Sequence, residues 1–253
     1  MPVFQVEIPG QLYRYWPGNK EIKLLNCLFT PGDGSRDFIV RTAVQAADED
    51  IARQTGRELC LDVTHLLEFC MNEEVDLSTT NDKISLLGAS AGTGGTSIST
   101  SAATVLPIPP TTDQMESIAK AEAALEAETD AERRESLLRA IHWQALGRRE
   151  VQSAIDRFMK FWIAIEVLVK GEGKYVVPKI KDQLMSLYPK ANEQKVAETI
   201  GRIYGVRADI VHFGIRQPQN LHGKLEQLES ILSDLLRTAL GLKFKALAGR
   251  FLA

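Results

Sequence analysis

The segment "RADIVHFG", Arg207 to Gly214, sets a guanidinium, a carboxylate and an imidazole among apolar neighbours. These types suit phosphate chemistry. An imidazole with a reference pKa near ~6.5 gives or takes a proton at neutral pH. A planar guanidinium holds a phosphate by a fork of hydrogen bonds and stabilises the charge gathered in a transition state. In that role His212 is the general acid or base and Arg207 the phosphate clamp. At about 100° per residue Asp209 and His212 lie about 60° apart on one helix face, so Asp209 is expected to orient the imidazole and favour its protonated form. Arg207 and His212 are about 140° apart. A straight helix does not bring their heads together easily, although a long arginine can bend round. Two copies of the helix crossing at a two-fold axis would do it better, which points to a composite cleft in a dimer. The bland alternative is that Arg207 pairs with Glu166 and closes a bundle, while His212 caps the helix end near Gly214.

The elements that must position these groups are mostly helical. In "EVQSAIDRFMKFWIAIEVLVKG" the residues Ile155, Phe158, Met159, Trp162, Ile165 and Val169 form one stripe at helical spacing, and Glu166 falls on it. A carboxylate there is expected to be partly buried and to need a cation. Gly171 and Gly173 are read as ending that helix. Further helices are expected around "VPKIKDQLMSLY", through "NEQKVAETIGRIYGVRADIVHF" with Gly214 as its stop, and through "LEQLESILSDLLRTALGL". Before them, "TDQMESIAKAEAALEAETDAERRESLLRAIHWQALGRRE" is rich in helix formers, with Thr112 or Asp113 as the first cap.

The N-terminal part reads differently. "VFQVEI" alternates as a strand does; "EIKLLNCLF", "DFIVRTAVQA", "DKISLLG" and "TSISTSAATVLPI" are further strand candidates, with turn chemistry in "TPGDGS" and a loop at "ASAGTGG". That loop lacks the GK[ST] of a phosphate-binding loop. A helix capped by Asp48 is expected to bury Ile51, Leu59, Val63, Leu66, Leu67 and Phe69. "PIPPTT" marks the expected boundary between an α+β domain, 1–110, and a helical bundle, 111–253.

The chain has 253 residues, 44% hydrophobic and 25% charged, which is ordinary for a globular protein with a real core. It shows no apolar run near the roughly 18 residues of a membrane span and no secretory pattern at the start. Three cysteines, Cys27, Cys60 and Cys70, read as reduced thiols of the cytoplasm. Without CxxC or HExxH no metal site is expected, and no cofactor. His65 and His142 read as packing or surface positions. The net charge of −3 is uneven: from Val151 onward 16 Lys+Arg face 10 Asp+Glu, giving +6 and leaving −9 for the rest. A basic half suits an anionic partner such as RNA, and equally a solvated helix surface. Lys170, Lys174, Lys179 and Lys181 are the candidate phosphate contacts, with Arg202 and Tyr204 at the rim of the cleft.

"RADIVH" resembles the R-x4–6-H signature of the HEPN superfamily, and "FMKFWIAIEVLV" resembles its earlier aromatic helix with an embedded glutamate. Tyr204, Arg207, His212 and Gly214 form a Y-x-x-R-x-x-x-x-H-x-G pattern similar to the Apea-like branch. The resemblance covers about Ala121 to Leu242. It implies an all-α bundle that homodimerises, and metal-independent endoribonuclease activity in prokaryotic toxin or antiviral defence systems. Cleavage would proceed by attack of the RNA's own 2′-OH at a dimer-interface site of Arg207 and His212, with a partner protein of such a system. Ala208 stands where many active members carry a polar residue. That departure favours the alternative of a degenerate domain that binds nucleic acid or nucleotide, or only dimerises, without catalysis.

Overall fold

A computed structural model describes residues 1–12, 21–32, 36–72, 75–78, 82–87, 111–170, 175–215 and 218–252. The protein is α+β, and it divides into two compact units, Met1–Glu122 and Ala123–Ala253.

The first unit is built on an antiparallel sheet. Its strands are β1 (Val3–Leu12), β2 (Ile22–Leu24), β3 (Cys27–Pro31), β4 (Asp37–Gln45), β5 (Val75–Leu77) and β6 (Lys83–Leu86). β1 is the shared strand. β4 pairs with it along its whole length, while on its other edge β6 pairs Phe4–Glu7 and β5 pairs Gly10–Leu12. Alternation in β4 turns Phe38, Val40, Thr42 and Val44 inward, as a half-buried strand requires. "EIKLLNCLF" is a hairpin, not one strand: Leu24 pairs with Cys27 across a two-residue turn. There Leu25 takes a left-handed φ of 52°, unusual for leucine, and is held by burial and by its N–H donating to Glu122 Oε1 at 2.9 Å.

Helix α1 (Glu49–Met71) packs on β1 and β4 and is capped by Asp48, whose side chain accepts from the Ile51 N–H at 2.9 Å. Its buried face corrects the expected one. Ile51 and Leu59 are 49% and 36% exposed, while Ala52, Gly56 and Cys60 face the sheet. The reason is closeness: a Cβ on Gly56 would lie 2.5 Å from Val6 Cγ2, so only small residues fit the first turns. Val63, Leu66, Leu67 and Phe69 are buried as expected, and His65 is buried with them.

Helix α2 (Thr112–Ala127) contains the division between units. It is capped by Thr111, one residue before the expected cap. Thr111 Oγ1 accepts from the Gln114 N–H while Gln114 Oε1 accepts from the Thr111 N–H, a reciprocal capping box. The expected loop at "ASAGTGG" and strand at "TSISTSAATVLPI" lie outside the described residues, as do Gly171, Gly173 and Lys174.

The second unit is all helical among the described residues: α3 (Ala131–Arg149), α4 (Ala154–Val169), α5 (Val176–Leu187), α6 (Glu193–Phe213), α7 (Leu221–Ala239) and the short α8 (Gly249–Leu252). α4 is the central helix, packed on α3 and α7, with Phe158, Phe161, Trp162, Ala164, Ile165 and Leu168 buried. Phe161, Ala164 and Leu168 widen the expected stripe, while Ile155 and Met159 are only half-buried. α3 meets α4 closely at Gly147, where a Cβ would lie 2.5 Å from Phe161 Cε1. Lys170 adopts the left-handed conformation that ends α4, with its N–H on the Glu166 and Val167 carbonyls.

Candidate functional site

The expected chemistry sits at the C-terminal end of α6. Asn192 caps the helix start, and Val196, Thr199, Ile200, Ile203 and Val206 form its buried stripe. Past Val206 the burial fades, and residues 211–215 are exposed. Gly214, at φ 61°, closes the helix with its N–H on the Ile210 carbonyl, as the sequence indicates. Arg207 and His212 therefore leave the core where α6 runs out of packing partners.

Arg207 links two neighbours. Its Nη2 is 3.8 Å from Glu166 Oε1, an ion pair in which the side chains are only 17% and 21% exposed. Its Nη1 lies 3.5 Å from His212 Nε2 within the same chain. The three methylenes of arginine span the roughly 140° that separates the two positions on the helix. A second chain is therefore not needed to bring guanidinium and imidazole together. Because a guanidinium only donates, this contact fits a His212 whose Nε2 carries a lone pair and whose proton is on Nδ1. Arg207 Nε is sealed from solvent without a partner.

Glu166 is half-buried and set by two groups. Trp162, one turn earlier on α4, donates its indole N–H to Glu166 Oε1 at 2.7 Å, and Arg207 supplies the cation. The need for a cation is visible in the sequence. The indole donor is legible only in hindsight, from the i, i+4 spacing and the requirement that a buried tryptophan N–H find an acceptor. Tyr204 joins through its ring, 5.9 Å from that of Trp162.

Asp209 departs from its expected role: it makes no hydrogen bond or ion pair with His212. One methylene does not carry its carboxylate to the imidazole, which turns to Arg207 instead. The expected phosphate-binding cations are also engaged elsewhere. Lys170 Nζ lies 3.4 Å from Glu132 and 3.7 Å from Asp130, at the start of α3. Lys179 donates to the Lys170 carbonyl. Lys181 pairs with Glu193 at 3.0 Å, which raises its pKa above the ordinary lysine value. Arg202 pairs with Glu198 at 3.3 Å on the exposed side of α6. Nearby Lys224 is held below the ordinary lysine value, first by burial and then by the charge of Arg202. Tyr204, through Trp162 and Glu166, is the member of the expected substrate-binding set that this network includes.

Comparison with protein-family models, with curated proteins and with solved structures finds no match to this chain.

Proposed function

We propose that this protein is a metal-independent endoribonuclease of HEPN type, acting in a prokaryotic defence or toxin system. The observation that carries the reading is the run Trp162–Glu166–Arg207–His212, which ends on an exposed imidazole beside a guanidinium held from behind by a carboxylate. A fixed guanidinium is what phosphate clamping needs, and an exposed imidazole whose Nε2 lone pair is released when Arg207 turns to the phosphate is what proton transfer needs. In this mechanism Nε2 of His212 takes the proton of the RNA 2′-OH. The oxygen attacks the adjacent phosphorus, charge builds on the phosphate against Arg207, and the P–O5′ bond breaks as the 5′-oxygen takes a proton from water, leaving a 2′,3′-cyclic phosphate and a 5′-hydroxyl. Homodimerisation through the helical bundle, a partner protein of the defence system and a cytoplasmic location belong to the same proposal. The three cysteines are buried and no disulfide joins them, as a reducing compartment expects.

The test is incubation of purified protein with mixed RNA in EDTA and mass spectrometry of the fragment ends. The reading expects 2′,3′-cyclic phosphate and 5′-hydroxyl ends, survival of a strand with 2′-deoxyribose at the cut site, and a loss of about 10²–10⁴-fold in His212→Ala. Arg207→Lys should also be poor, since an ammonium does not reproduce the fork. Metal-dependent cutting with 5′-phosphate ends would refute it. A second reading, binding without cleavage, is favoured by Ala208 after the motif arginine and by the absence of contact between Asp209 and His212; tight RNA binding without cutting would select it.

A further inference from the structure

Two residues at the end of α6 stand outside the network around Arg207. Phe213 follows His212 directly and is 74% exposed, with Val211 and Ile215 exposed on either side. Asp209 precedes Phe213 by four residues, so the two are neighbours on the helix surface. Asp209 is half-buried, and its carboxylate makes no hydrogen bond or ion pair among the described residues. An exposed aromatic ring and a carboxylate without a bond among the described residues thus lie within three positions of His212 on α6.

Resting on the ribonuclease reading above, we infer that Phe213 and Asp209 form a base subsite that selects an unpaired guanine next to the phosphate held by Arg207 and His212. Bases of single-stranded RNA stack on exposed aromatic rings, and their edges are read by hydrogen bonds. A carboxylate accepts at both oxygens and donates at neither. Guanine offers it two adjacent donors, N1–H and the N2 amino group. Adenine and cytosine set a ring-nitrogen acceptor beside their amino group, and uracil sets its single N3–H between two carbonyls. Guanine is therefore the base that matches. Pairing in a duplex occupies that edge and both faces of the base, so the subsite requires an unpaired nucleotide. A protein partner fits less well, because Phe213, Val211 and Ile215 are three exposed apolar side chains and a stable interface takes about 20–30 residues a side. A stable protein interface needs about 800 Å² per partner.

The experiment is equilibrium binding of fluorescein-labelled 2′-O-methyl hexanucleotides, which are not cleaved by 2′-OH attack. One carries a single guanine in a uridine background, one a single adenine, and a third, longer strand has the guanine paired with cytosine in a hairpin stem. The wild-type protein should prefer the unpaired guanine strand by about tenfold or more. Phe213→Leu should weaken both single strands by about 5- to 150-fold, and Phe213→Trp should restore them. Asp209→Asn should shift preference toward adenine, whose amino donor and ring-nitrogen acceptor match an amide. Equal binding of the guanine and adenine strands by wild type overturns the proposal. So does unchanged binding in Phe213→Leu, or loss of a dimer in Phe213→Leu with base preference intact. Cleavage of unmodified RNA is scored separately. Guanine preference without cleavage leaves the subsite standing and sinks the nuclease reading; cleavage without base preference does the reverse.

Discussion

The helical unit holds two carboxylates that each accept from an aromatic side chain, and they have opposite surroundings. Asp234, on α7, is completely buried: its Oδ2 accepts from the Tyr188 hydroxyl at 2.5 Å and from the Ala248 N–H at 2.8 Å. Glu166, on α4, accepts from the Trp162 indole and faces Arg207, which reaches out to an exposed imidazole. Around Asp234 the polar groups turn inward. Arg237 Nε donates to the Lys243 carbonyl at 2.8 Å, the Phe244 ring packs edge-on against Tyr188 at 5.2 Å, and the chain after α7 is tied to the bundle. Around Glu166 the chain of contacts opens to water. A closed polar cluster holds structure; one that ends on an exposed imidazole can meet a visitor.

The difference can be broken most severely at Asp234. Asp234→Ala strands the buried Ala248 N–H and the half-buried Tyr188 hydroxyl, the first worth about 1–3 kcal/mol and the second about 1 kcal/mol, so the urea unfolding free energy should fall by roughly 2–4 kcal/mol. No change would mean the tail is not held there. Glu166→Ala should cost less, about 1–3 kcal/mol, because water reaches Arg207 and screens what is left behind. Glu166→Gln, which still accepts from Trp162, should cost a fraction of that; equal losses in both variants would place the charge, not the hydrogen bond, in control. Tyr188→Phe removes one donor and should cost about 1 kcal/mol. Burial, and then the hydrogen bond to Asp234, push the Tyr188 hydroxyl above its ordinary pKa, so spectrophotometric titration should find it un-ionised where free tyrosines have already lost their proton.

A third carboxylate sharpens the comparison from the sheet unit. Asp82 receives Arg57 at two oxygens, both at 2.8 Å, with Arg53 at 3.4 Å, and Arg57 holds its pKa below the usual carboxylate range. A depressed carboxyl stabilises the fold above the unfolded-state pKa of about 3.9 and loses that contribution as the pH falls through the folded value. The stability of Asp82→Asn should thus fall less than that of wild type on acidification below about pH 4, by at most about 1 kcal/mol, since Arg57 is well exposed. The smallest effect is expected at the open end of the Glu166 cluster. His212→Ala should leave the unfolding midpoint within about 0.5 kcal/mol of wild type, because the ring is exposed. A large loss would turn His212 into a structural cap.

Much of this was readable along the chain. The cap Asp48, the stop at Gly214 and the strand at β4 are local physics, set by residues within a turn or two of one another. The face of the first half of α1 was not readable. Hydrophobicity favours Ile51 and Leu59, but the close approach of α1 to Val6 selects Ala52, Gly56 and Cys60, and nothing inside the helix encodes that approach. At the site, the imidazole and guanidinium were legible as types and spacing. The absence of a contact from Asp209 was not, since helical angle measures direction and not side-chain reach.

By itself the sequence determined that the first part carries strands and the second helices, that Glu166 would need a cation, and that Arg207 and His212 would share the last turns of α6. Those follow from backbone periodicity, capping and the cost of a lone charge in an apolar stripe. The sequence offered Arg207 as one possible cation, and tertiary structure decided for it, forty-one positions downstream, by packing α6 against α4. It alone decided that Asp234 is sealed while His212 is exposed, although both lie on helices of similar pattern. Burial depends on what the rest of the chain lays over a residue, and a one-dimensional pattern does not carry that information.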